Sequence, residues 1–220
     1  MDIFLLVTVA GFSTIPAAVI GCIKYKSLAI ANRWFVSLCV FALFVESISQ
    51  WIITVNKWSN AIIANIYVLV EVLLYLIIFY YWNVFKKNKK PYALLAVIVV
   101  ITWTIDNFYL HKIDQFNSLC RVVNWTVIFF LSIEKIGSLK FQVRGSLLKD
   151  STFIICSGLI IFGVYKAIFE FFVLIKLNIS NNLFFHLYEV LQYVNIFSNT
   201  LFALAILWMP KKHNFTMPFS

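Results

Sequence analysis

The chain has 220 residues, 62% of them hydrophobic and only 12% charged, with a mean hydropathy of +0.91. A soluble domain carries about a quarter charged residues, so a soluble enzyme or soluble binding domain is set aside in favour of a polytopic membrane protein. The formal charge of +9 falls between apolar runs, which assigns it to topology and the headgroups of the lipid bilayer and leaves nucleic acid out as a partner.

Seven spans are predicted in a single all-α transmembrane domain: Ile3–Ile23, Trp34–Val55, Ala61–Val84, Pro91–Leu110, Leu119–Ile133, Thr152–Leu174 and Leu183–Trp208. Most have the roughly 20 residues that cross the hydrocarbon core. The first run is not expected to be a cleaved signal, because Asp2 stands where a basic segment belongs and the basic residues follow the run. The lipoprotein-like Val19-Ile20-Gly21-Cys22 is discounted on the same ground. Cys22, Cys39, Cys120 and Cys156 are isolated, without CxxC spacing, and are expected as packed thiols rather than zinc ligands or disulfides.

The connections alternate in charge. Lys24, Lys26 and Arg33, then Lys86, Lys87, Lys89 and Lys90, then Lys135, Lys140, Arg144 and Lys149, and finally Lys211 and Lys212 put 13 basic residues on one side. Lys57, Lys112 and Lys176 put 3 on the other. The positive-inside rule then predicts the N-terminus outside and the C-terminus inside, in a multi-pass inner (plasma) membrane protein. Pro210 stops the last helix, and residues 209–220 form a short cytoplasmic tail. Phe215 and Phe219 there are interfacial anchors, or part of a docking peptide for a cytoplasmic signalling partner.

Within the last span, His186, Glu189, Gln192, Asn195 and Asn199 step by three or four residues and form a slanting polar stripe. Such groups in a span face protein or water rather than lipid. With the predicted orientation, Glu46, Glu71, Asp106, Asn107, Arg121, Asn124, Lys166 and Glu170 join the upper part of that stripe in the outer half of the membrane. Asn199 is the main polar group of the inner half. A charge at mid-membrane costs on the order of 3 kcal/mol, and the cost falls when these groups meet one another or water. Lys166 and Glu170 are spaced to pair, and Tyr67, Glu71 and Tyr75 share a face. The four glutamates Glu46, Glu71, Glu170 and Glu189 outnumber Arg121 and Lys166, with His186 a conditional third cation. A protonated carboxyl, a bound cation or amine, or cavity water would settle the difference. Two readings stand side by side: a polar network that only holds seven helices in register, or an outward-facing pocket for an unknown small polar ligand or ion. In the pocket reading Glu71 and Glu189 make the ligand or proton contact, Arg121 and Lys166 are counter-charges, and His186 is a pH-responsive rim residue.

Catalysis finds less support. Only His186 lies in a span, with His111 in a loop and His213 in the tail, so the histidine–zinc site of adiponectin-receptor-type hydrolases cannot be assembled. There is no GxSxG elbow and no P-loop. The last span has no lysine for a retinal Schiff base. No cofactor or metal is expected. The chain has only 6 glycines and 4 prolines, with Pro16 the clear case inside a span, whereas carriers use helices interrupted at such residues. The leading expectation is therefore a receptor-like sensing module of continuous helices that signals through a separate partner. A small carrier for a polar or cationic solute is the alternative, and an intramembrane enzyme comes third.

Glu71–Phe79 (EVLLYLIIF) and Glu189–Phe197 (EVLQYVNIF) agree at six of nine positions. Two parallel three-helix units joined by the fourth span would give a 3+1+3 plan, which resembles the SWEET-type sugar carriers and PnuC-type vitamin carriers. The Pro-Gln dipeptide of the SWEET relatives is absent. Ser59–Tyr75 (SNAIIANIYVLVEVLLY), Asp106–Ser118 (DNFYLHKIDQFNS) and Asn214–Ser220 (NFTMPFS) resemble small seven-span inner-membrane proteins of Bacteroidota-type bacteria. That likeness implies a bacterial inner membrane and brings no site residues with it.

Overall fold

A chain that must bury its peptide groups in hydrocarbon satisfies them internally, and helices do this within one segment. The computed structural model describes residues 3–86, 88–139, 147–175 and 181–210; there the chain is helical apart from its connections, with no strand among the described residues. Lys87, Lys140, Arg144, Lys176 and the tail residues 211–220, with His213, Phe215 and Phe219, lie outside the described residues. The helices are α1 (Ile3–Phe12), α2 (Ile15–Lys24), α3 (Ile30–Trp51), α4 (Ala61–Tyr81), α5 (Lys89–Thr104), α6 (Leu119–Leu139), α7 (Ser151–Leu174) and α8 (Asn181–Trp208). Wider π-helical turns prolong α3 over Ile52–Asn56 and α5 over Ile105–Leu110. With α1 and α2 counted together, seven segments are long and apolar enough to span a bilayer. This is a multi-pass membrane protein.

The first span is broken, which the expectation of continuous helices did not include. Pro16 has no N–H to give to the carbonyl four residues back, and its ring crowds that carbonyl. Just ahead of Pro16 the Ser13 N–H turns to the Ala10 carbonyl at 3.3 Å, and the Ser13 hydroxyl donates to the same oxygen at 2.6 Å. The helix resumes when the Ala18 N–H reaches the Thr14 carbonyl at 3.0 Å.

Other boundaries shift because basic side chains are absorbed by neighbouring helix ends. The fifth span runs on to Leu139, beyond the predicted Ile133, because Lys135 turns its ammonium inward and donates to the Trp82 carbonyl at 2.8 Å. Lys24 likewise donates to the carbonyls of Ile206 (3.3 Å) and Leu207 at the end of α8. A lysine on orphan carbonyls satisfies them and complements the negative end of the helix dipole. The second span starts at Ile30, before the predicted Trp34, because Arg33 donates backward to the carbonyls of Leu28 and Lys26 at 2.9 and 2.8 Å. The end of the bundle holding these contacts is called the lysine-rich end below.

α8 packs against α1, α2 and α7; α7 also packs against α6; α3 packs against α4; and α5 lies outside on α4 and α6. The lysine-rich half is the densely packed one, where Phe35, Val36, Ile78, Phe79, Ile155 and Ile206 are fully buried. Ile23, Phe44, Leu94, Phe108 and Phe130 are exposed on the outside, where acyl chains take the place of water. Gly21 sets the approach of α2 to α3: a Cβ there would stand 2.6 Å from Val36 Cγ1 and 2.7 Å from Cγ2. Gly21→Ala is expected to destabilise by about 1–3 kcal/mol through overpacking. Adding Val36→Ala should recover most of that loss, as read by thermal unfolding in detergent.

Candidate functional site

Away from the lysine-rich end the helices part around a cavity of about 290 Å³, small for a ligand pocket. Its wall takes Gly11 of α1, Thr14 from the break in the first span, Asn60 just before α4, and residues of α3, α4, α6, α7 and α8. It extends from Asn60, just before α4, to Tyr75, about 22 Å along the helix axis. That is more than half the length of α4. The floor is aromatic: Phe35 and Phe202 meet edge to face at a centroid distance of 5.4 Å. Phe202 in turn rests on Gly158, where a Cβ would come within 2.8 Å of the ring.

Two carboxylates face this space. Glu71 accepts from the Tyr67 hydroxyl at 2.9 Å, one turn earlier on α4, and Tyr67 is itself stacked on Phe41 of α3. Glu46, on α3, accepts from Gln50 Nε2 at 2.9 Å. Its carboxyl group occupies the place that any Cβ at Gly11 would need. Gly11 leaves the room in which the glutamate lies against the backbone of α1. Among the described residues neither carboxylate has a Lys, Arg or His nitrogen within 4.0 Å.

The cations are committed elsewhere. Lys166 Nζ lies 3.0 Å and Arg121 NH1 3.7 Å from Glu170 Oε1, while Ser118 donates to Glu170 Oε2 at 2.7 Å. Arg121 and Lys166 still reach the cavity wall, but Glu170 is buried behind them and is not part of it. Arg121 NH2 also donates to Asn65 Oδ1 at 3.1 Å, and Nε has no partner among the described residues.

The remaining predicted residues divide by helix position. Asn195 is in the wall, with Asn199 one turn below it. Asn199 Nδ2 donates to Ser13 Oγ at 2.7 Å and to Asn195 Oδ1 at 3.2 Å, which ties the break in the first span to α8. Asn124 is buried beside the cavity, with Nδ2 3.4 Å from the Val68 carbonyl. Gln192 is buried on α8 outside the wall. His186 and Glu189 stand on the exposed start of α8 and face each other at 3.6 Å, with side-chain exposures of 74% and 36%. The matching glutamates of the two similar segments therefore have different surroundings, Glu71 in the cavity and Glu189 outside it.

Asp106 is fully buried but belongs to a separate cluster, because α5 does not border the cavity. Its Oδ2 accepts from the Cys120 N–H at 2.8 Å, capping α6 from a distance, and its Oδ1 is 2.9 Å from His111 Nδ1. Asn107 accepts from Asn117 at 2.9 Å, and Asn65 donates to the carbonyls of Ile113 and Gln115 at 2.9 and 2.6 Å. These bonds draw the α5–α6 loop over the bundle.

Several wall residues were not anticipated: Gly11, Thr14, Ser49 and Ser198, with Ser13 acting just behind. A signal was present for two of them. Ser13-Thr14 ahead of Pro16 is the arrangement that starts a helix anew. Among the described residues no three of His, Cys, Asp and Glu gather as metal ligands. No protein-family model, curated protein or solved structure matches the chain.

Proposed function

We propose that this membrane protein is a small carrier that takes a polar solute into the cavity bordered by Glu46 and Glu71. The observation that supports this most is the form of the wall: a deep, half-polar cavity bordered by a discontinuous helix. Interrupted helices with freed backbone groups at the site are how carriers bind solute and change access. The tie from Asn199 to Ser13 couples the break to α8, so the two can move together. An aromatic pair at the floor supplies a gate that closes the cavity toward the lysine-rich end.

The test is flux by the purified chain in liposomes, with a panel of radiolabelled amines, amino acids and sugars. Time-dependent uptake of at least one solute is expected, and Glu71→Gln should lower it about tenfold, the factor that 1.4 kcal/mol of lost binding produces. A sensing module is the second reading, favoured by the unbroken α-helical or π-helical course of the other six spans. No flux of any panel solute, together with a co-purifying cytoplasmic partner, would move the assignment there.

A further inference from the structure

The charges around the cavity do not cancel. Three carboxylates, Glu46, Glu71 and Glu170, stand with two cations, Arg121 and Lys166, and both cations are already engaged by Glu170. One negative charge is left in excess when all are ionised, and it lies on the carboxylates that face the open space. Among the described residues each of these has a single neutral hydrogen-bond donor, Gln50 for Glu46 and Tyr67 for Glu71. A carboxylate offers about four lone-pair sites, so both keep free acceptors toward the cavity.

The rest of the lining sets the chemistry of a counter-ion. Tyr67, Tyr75, Trp125, Phe162, Phe35 and Phe202 supply ring surfaces. A small hard metal ion requires a closed shell of oxygens. The wall does offer hydroxyls and amides at Thr14, Ser49, Asn195, Ser198 and Asn199. Asn195 and Asn199, however, are bonded to each other and Asn199 to Ser13, and rings make up much of the rest. An ammonium group requires carboxylate acceptors and gains from aromatic faces, and its organic body fills apolar space. We infer that the solute is a monovalent organic ammonium ion with a hydrocarbon or aromatic body, its charge taken up by Glu46 and Glu71. This rests on the carrier reading above and narrows its solute to one class.

Binding is read with the full chain in lipid nanodiscs, using radiolabelled phenethylamine, butylamine and choline as probes. Competitors are 2-phenylethanol, which keeps the body and loses the charge, phenylacetate, which reverses it, and sodium chloride. At least one amine should bind and resist a tenfold excess of the alcohol and the acid. Glu46→Gln and Glu71→Gln should each weaken that binding at least tenfold, while Glu189→Gln, outside the cavity, should leave it unchanged. If Glu71→Gln does not fold, Glu46→Gln on the neighbouring helix decides alone. Binding of none of the three amines overturns the inference. So does equal binding of the alcohol or acid, displacement by sodium at equal concentration, or wild-type affinity in the folded glutamine variants. Amine binding without flux would remove the carrier reading and leave the ammonium site in place. Flux of a neutral or acidic solute without amine binding would do the reverse.

Discussion

Glu170→Ala is expected to lower stability by about 3–5 kcal/mol, the range for breaking a buried ion pair from one side. The glutamate is 5% exposed and serves three partners at once: Lys166, Arg121 and the Ser118 hydroxyl. Removing it leaves two cations in a low-dielectric bundle, with only the cavity carboxylates near enough to turn toward. It also frees the start of α6, because Ser118 directly precedes that helix. Glu170→Gln keeps one acceptor oxygen for Ser118 and loses the charge, so its cost should be intermediate. A double replacement, Glu170→Leu with Lys166→Leu, should be milder than Glu170→Ala, because one stranded charge disappears with its partner. Thermal unfolding in detergent across the three variants checks the order. A loss below about 1 kcal/mol in Glu170→Ala, the level of an exposed pair, would mean that water in the cavity already screens both cations.

The seven spans were legible because they rest on a strong one-dimensional signal: apolar runs of the right length separated by charges. Three of the errors at their ends share a physical origin. Lys135, Lys24 and Arg33 read as loop residues because their charge is expensive in hydrocarbon, yet each folds its charge onto free carbonyls at a helix end. That compensation depends on which end lies nearby, which no local pattern carries. The polar cluster was legible as a list and not as a map. Glu46, Tyr67, Glu71, Tyr75, Arg121, Lys166 and Asn195 meet in one wall, whereas Asp106 does not, because α5 packs outside the ring of helices around the cavity. Depth along a span can be counted from sequence; rotation about its axis and position in the bundle require the packing. The stripe on α8 shows the same limit. Its lower residues, Asn195 and Asn199, line the cavity, while His186 and Glu189 lie on the outward side of the first turns of α8, whose other side packs on α7 through Phe184, Leu187 and Tyr188. Gly11 was the least visible of all, since a glycine in an apolar run has no polarity to mark it.

Gly11→Ala separates a working site from a structural one most cleanly, because its two expected effects run in opposite directions. A helical Gly→Ala replacement gains about 0.5–1 kcal/mol from propensity alone. The new methyl would meet Glu46 Oε1, Cδ and Cγ, the flexible end of a side chain rather than backbone, so the glutamate can swing away at little cost to the fold. It would swing away from the position in which Gln50 holds it, and the cavity would lose one of its two unpaired carboxylates. The unfolding midpoint is thus expected to stay level or rise, while uptake of the solute in liposomes falls about tenfold, equivalent to 1.4 kcal/mol. A larger residue, Gly11→Val, should deepen the uptake defect, and Gly11→Ser should match alanine. Gly137→Ala, inside α6, serves as the comparison for helix propensity alone, with uptake unchanged, since a Cβ there has nothing within 4 Å. Unchanged uptake in a stable Gly11→Ala protein would mean that the carboxylate of Glu46 does not touch the solute, and would leave Glu71 as the acidic contact among the described wall residues.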